Sequence, residues 1–148
     1  MHGRPLLGLT LTTVLLAGCS SAVKVVPSEG ADASAGCTAV AGAWPATVAG
    51  LERRETAVES ATVAAWGDPA VIARCGAPVP GPTTAQCLDI DGVDWIAVQL
   101  DDGIEFTTYG RDPAVEVLVP DSYAPETLLM PAFGEVARTV GQTGPGCT

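Results

Sequence analysis

Residues 87–110, CLDIDGVDWIAVQLDDGIEFTTYG, decide the fold. Three short runs rich in Val, Ile, Thr and aromatic residues are separated by Asp91-Gly92 and by Asp101-Asp102-Gly103. Runs of this length and composition read as strands, and the separators as tight turns, which gives two successive antiparallel hairpins. Asp-Gly suits a two-residue type I′ turn with positive φ at both central positions; the second stretch suits a three-residue loop with Gly103 left-handed. Registers follow from the turns. In the first hairpin Ile90 faces Val93, Asp89 faces Asp94, Leu88 faces Trp95 and Cys87 faces Ile96. In the second, Leu100 faces Ile104, Val98 faces Phe106 and Ile96 faces Thr108. Alternation then places Ile96, Val98, Leu100, Ile104 and Phe106 on the core side. Leu88, Trp95, Gln99, Glu105, Thr107 and Tyr109 form a mixed face open to solvent or a partner.

Outward from this centre, VAGLERRET, TVAAWG, AVIARCG and AVEVLVP repeat the strand signature. Before them, Ser34 can cap a short helix that places Cys37, Val40, Ala41 and Trp44 on one apolar face and that Pro45 ends. After them, APETLLMPAFGEVARTVG starts with Pro125 and Glu126 and carries Leu129, Phe133, Val136 and Val140 on one stripe, with Pro131 expected to kink or divide it. The expected fold is α+β: an antiparallel β-sheet packed on one face by N- and C-terminal helices and stapled by disulfides, in a single domain over 36–148.

The N-terminus has its own logic. One arginine, Arg4, precedes the eleven-residue apolar run Leu6–Leu16, which is about half the length needed to span ~30 Å of hydrocarbon as a helix. Residues 1–18 read as a signal peptide. Leu16-Ala17-Gly18-Cys19 resembles the lipobox of bacterial lipoproteins, in which the cysteine thiol is acylated and the chain cut before it. Cys19 is the expected lipidation site, and two acyl chains would hold the protein at the outer face of the cytoplasmic membrane. From 19 to 35 the chain is small and polar and reads as a flexible tether. Cleavage removes His2 and Arg4, taking the formal charge from −10 to −11 and leaving no imidazole. Histidine-based catalysis and His-ligated metal are thereby excluded, and the acidic balance argues against nucleic acid as a partner and against electrostatic docking onto anionic lipid.

Four cysteines remain, Cys37, Cys75, Cys87 and Cys147, which allow three pairings. Cys75 and Cys87 bracket the Pro- and Gly-rich GAPVPGPTTAQ, which suggests a chain that turns back and a Cys75–Cys87 bridge. Cys37 would then pair with Cys147 and clip the two terminal helices together, closing a long loop that corresponds to about 4 to 5 kcal/mol in the chain-entropy model.

Candidate sites are few. Asp89 and Asp94 are cross-strand neighbours of like charge, so a cation is expected between them, Arg74 or Arg111 before a metal. The Asp89–Asp94 run lacks the ligand spacing of a calcium loop, and no metal or cofactor site is expected. Arg111 could fork a carboxylate or phosphate, although an internal ion pair with Asp89, Asp94 or Glu116 is the commoner use of such a residue. Trp95, near Tyr109 on the mixed face, is the aromatic candidate for ligand binding, whereas Trp44 and Trp66 read as core. Glu52, Asp101, Asp102 and Glu105 fall on strand edges and loop tips, where carboxylates keep ordinary pKa values. A non-catalytic binding or accessory module is therefore expected, with envelope proteins or wall material as partners. A carboxylate- or metal-dependent hydrolase of wall polymers built on Asp89, Asp94 and Glu116 is the alternative, and it requires those acids to cluster free of Arg74 and Arg111.

The segments CTAVAGAWPATVAGLERR, AAWGDPAVIARCG, CLDIDGVDWIAV and FTTYGRDPAVEVLVP together resemble the domain of unknown function 3515 family of high-GC Gram-positive bacteria, over about Cys37 to Val140. The resemblance implies a small exported or membrane-anchored envelope protein with no established activity.

Overall fold

The computed structural model describes residues 21–148; the expected signal peptide over 1–18 and the lipidation site Cys19 lie outside them. Eight strands form one antiparallel sheet: β1 (Thr47–Val48), β2 (Leu51–Arg54), β3 (Val63–Trp66), β4 (Val71–Ala77), β5 (Gln86–Ile90), β6 (Val93–Leu100), β7 (Gly103–Thr108) and β8 (Ala114–Pro120). Their order across the sheet is β1-β2-β3-β4-β8-β7-β6-β5. The chain thus lays down two up-and-down meanders, β1 to β4 and β5 to β8, and joins them through β4 and β8. That junction runs from Ile72↔Leu118 to Ala77↔Ala114, with an irregularity between Cys75 and Ala77.

Helix is scarce. α1 (Ala35–Ala41) begins where the Cys37 amide donates to Ser34 Oγ at 3.3 Å, the expected cap. The C-terminal segment is a 3₁₀ stretch, Glu126–Phe133, followed by α2 (Gly134–Arg138). Pro131 lies inside the first part, where its missing donor is incompatible with a continuous α-helix. Leu129, Phe133, Val136 and Val140 are nevertheless all buried, as their spacing implied.

One face of the sheet supplies the core through Val71, Ala73 and Cys75 of β4, Val115, Val117 and Val119 of β8, Phe106 of β7, and Val93 and Trp95 of β6. Trp66 meets Trp44 and Phe133 edge to face, with ring centroids at 6.2 and 5.4 Å. The indole N–H groups of Trp44 and Trp66 donate to the Ala61 and Pro45 carbonyls at 2.9 and 3.0 Å, so these rings bury their polar ends satisfied.

The first hairpin has the expected register, with Asp91 at φ 53° and Gly92 at φ 77°. The second does not. Its loop is Asp101-Asp102 alone, and the pairs are Leu100↔Gly103, Val98↔Glu105, Ala97↔Phe106 and Ile96↔Thr107, one residue away from expectation. Gly103 has no positive φ; it is glycine because β8 crosses so closely that a Cβ would strike the Val119 carbonyl oxygen. A slip of one residue exchanges the faces of a strand. Trp95 therefore enters the core, fully buried opposite Leu88 and Thr108, while Val98 and Leu100 are 40% and 37% exposed. Strand β6 is apolar on both faces, so alternation alone did not distinguish them.

The disulfides are Cys37–Cys75 and Cys87–Cys147, which corrects the expected pairing of Cys75 with Cys87 and of Cys37 with Cys147. The loop after β4 is not a hairpin but a passage to the far edge. Strands β4 and β5 are four spacings apart, roughly 19 Å along the sheet. A disulfide holds its Cα atoms at about 6 Å. The stretch read as a flexible tether is also held: Val23 pairs with Thr56, donating to the Glu55 carbonyl and accepting from the Ala57 amide at 2.8 Å each, and Ala31 is buried.

Candidate functional site

The sheet's other face is built by the alternate residues of the same strands. Arg74 on β4 lies directly opposite Glu116 on β8. Its Nε and Nη2 donate to the two carboxylate oxygens at 2.6 and 3.1 Å, a fork that fixes both side chains. The Glu116 side chain is only 5% exposed, against 31% for Arg74. Thr107 on β7 pairs with Glu116, and Glu105 stands diagonally across from it. Glu105 is half-buried, and burial, followed by the Glu116 charge, raises its pKa above the ordinary glutamate value while Arg74 opposes the shift. The expectation of an ordinary pKa at Glu105 is corrected accordingly, because β7 is an inner strand whose pairing with β8 sets Glu105 beside this polar centre.

Apolar side chains surround the centre. Ile72 and Leu118 are half-buried and Val98 and Leu100 exposed. A hollow of ≈ 160 Å³ opens between Ile72, Leu100, Leu118, Pro120 and Asp102. Residues of the second hairpin and of the central junction thus meet on one surface, which offers apolar contact beside a carboxyl group whose neighbour is already neutralised. Neither Val98 nor Leu100 was expected to face outward. The readable signal was the charge at Arg74 and Glu116 in the middle of otherwise apolar strands, which marks the second face.

The residues singled out from the sequence are dispersed. Trp95 is a core residue, because the true register of β6 turns it inward, so it offers no ring to a ligand. Tyr109 is half-buried and lies beside Cys87, Ile96 and Cys147 at a different hollow. Arg111 is buried, and its Nη1 donates to the Val140 carbonyl, which ties the C-terminal segment to the sheet; Arg111 also bridges to Gln142. Burial, then the Arg138 charge, lower the Arg111 pKa, and Asp94 opposes them. Asp89 and Asp94 do face each other, and among the described residues neither forms an ion pair within 4.0 Å, Asp94 acting on Arg111 only at longer range. Asp89 accepts from the Gly92 amide of its own turn at 3.0 Å, and Asp94 turns to the Gln142 amide at 3.4 Å. Glu116 stands two strands from Asp94 and three from Asp89, roughly 10 and 14 Å, in its fork with Arg74. The acids required by the hydrolase reading are therefore not brought together.

Fold and surface define a small antiparallel-sheet domain, made of two meanders, each tied by one disulfide to a terminal segment. The chain belongs to the family described as Protein of unknown function (DUF3515), whose model matches residues 11–145. No curated protein and no solved structure matches it.

Proposed function

We propose that this is an exported lipoprotein, held at the outer face of the cytoplasmic membrane by an acylated Cys19, whose domain serves as a binding or accessory module for envelope proteins or wall material. The observation that carries the reading is Leu16-Ala17-Gly18-Cys19 at the end of an eleven-residue apolar run. The family match begins at residue 11 and so takes in this motif, and two disulfides suit an oxidising compartment. The binding surface is the face around Val98, Leu100, Ile72 and Leu118, because its apolar groups stand open among the described residues and border a fixed polar centre. Replacing Cys19 by Ala is expected to move the protein from the membrane fraction to the medium and to abolish incorporation of labelled palmitate. An unchanged membrane fraction would remove the anchor from the reading.

A further inference from the structure

The basic residues of this acidic chain are not spread evenly. Among the described residues the ion pair within 4.0 Å is Arg74–Glu116. Arg111 is buried against the Val140 carbonyl, and Arg138 donates to the Asp91 carbonyl at the first hairpin turn. The other three cations among the described residues, Lys24, Arg53 and Arg54, all belong to β2 or to the segment docked beside it. Arg53 is exposed and stacks over the Trp66 ring, 5.3 Å from its centroid. Arg54 donates to the Gly67 carbonyl at 2.7 Å and to the Ser21 carbonyl at 3.0 Å, and Lys24 follows the pinned Val23 and is exposed. Ser21, Arg53, Arg54 and Glu55 line a hollow of ≈ 220 Å³. With Glu52 and Glu55 included, this edge has a formal charge of +1 in a chain that carries −11 from Cys19 onward.

Two residues of extended chain span at most about 7 Å. A lipid on Cys19 would therefore hold Ser21, and with it the β2 edge, within that distance of the bilayer. Strand β5 lies six spacings across the sheet, roughly 29 Å away. We propose that the β2 edge, through Lys24, Arg53 and Arg54, rests on the phosphates of anionic lipid headgroups and orients the domain so that β5 and the Asp91-Gly92 turn point away from the membrane. This rests on lipidation at Cys19. The overall acidity of the chain works with it: the same headgroups repel the acidic remainder of the surface, so the basic β2 side turns toward them.

The test uses the acylated full chain in phosphatidylglycerol-containing vesicles, with a photo-crosslinking residue at Ala57, beside the docked segment, or at Gln86 on β5. Lipid adducts are expected from Ala57 and not from Gln86. Lys24→Gln with Arg53→Gln should lower the Ala57 adduct by up to about 30-fold at low ionic strength, the value of two basic contacts to an anionic surface. Added salt, or vesicles of phosphatidylcholine alone, should lower it in the same direction. Both changed residues are exposed, and Arg53→Lys serves as the variant that keeps charge and adduct alike. Equal labelling from both positions, no labelling while the chain stays on the vesicles, or labelling at Ala57 that ignores charge and salt would each overturn the proposal. Failure of the anchor itself is read separately, as a chain whose cellular membrane fraction does not depend on Cys19.

Discussion

Glu116 gives up nearly all contact with water in order to face Arg74 at the junction of the two meanders. Desolvation of such a pair consumes most of its Coulombic gain, so its effect falls on specificity more than on net stability. A slip of one residue between β4 and β8 would exchange the faces of β8, turning Val115, Val117 and Val119 outward and Glu116 into the core beside residues such as Ala73 and Phe106, where nothing offsets its charge. Glu105 has no such fork. Its folded-state pKa lies above the unfolded one, so the stability that its neutral form contributes is present below the unfolded value, about 4.3, and is lost as pH rises through the folded value. Glu105→Gln is therefore expected to raise Tm relative to the parent increasingly from about pH 4 toward neutrality, and to leave little difference in acid. Thermal melts at a series of pH values check this; a gap that stays flat with pH would contradict the assignment. At this scale the sequence was readable where one partner decided the role, as with the Ser34 cap. It was misleading at Trp95, because a tryptophan between Asp94 and Ile96 has apolar neighbours on either face.

The two hairpins illustrate how far turn chemistry reaches. Asp91-Gly92 was legible because positive φ at two adjacent positions leaves few alternatives to Asn or Asp followed by Gly. Asp101-Asp102-Gly103 was misread because its glycine answers to a neighbouring strand and not to its own turn. The two glycines should therefore respond differently to substitution. Gly92→Ala meets open space and bears only the left-handed backbone penalty, about 1–2 kcal/mol. Gly103→Ala drives a methyl group into the β8 backbone, which has little room to yield in mid-sheet, and should cost about 3 kcal/mol or more. Urea unfolding of the two variants separates these outcomes. The disulfide pairing follows face parity in the structure, but the expected faces hid it: with Ile96 taken as a core residue, Cys87 opposite it fell on the same side as Cys75. Cys75 alternates with Val71 and Ala73 on the core side, where the α1 periodicity also points Cys37, whereas Cys87 lies on the face opposite Leu88 and Ile90. Spacing in sequence was the weaker guide, since a Pro-rich loop can cross a sheet as well as turn back on it.

Taken whole, the molecule is two halves with a staple in each. Peptide mapping without reduction should recover Cys37 linked to Cys75 and Cys87 linked to Cys147. Sequence separations of 38 and 60 residues correspond to about 4 kcal/mol for each bridge in the chain-entropy model. Against a domain stability of about 5–15 kcal/mol, loss of both should bring the domain close to unfolding, a change that melts with and without reductant would measure. The antiparallel sheet with short flanking helices was readable from strand and turn signals, but the order of its strands was not. Nothing local indicates that β8 inserts between β4 and β7, because that pairing joins residues some forty positions apart by side-chain fit alone.

The arrangement of the bridges bears on how the chain matures. The intervals 37–75 and 87–147 follow one another and neither overlap nor nest. In a chain that emerges from a translocation pore N-terminus first, Cys37 and Cys75 meet an oxidising environment together while Cys87 and Cys147 are still behind them. Under the export proposed above, a choice among three pairings becomes two successive choices with a single answer each, so the order of emergence would favour the observed bridges.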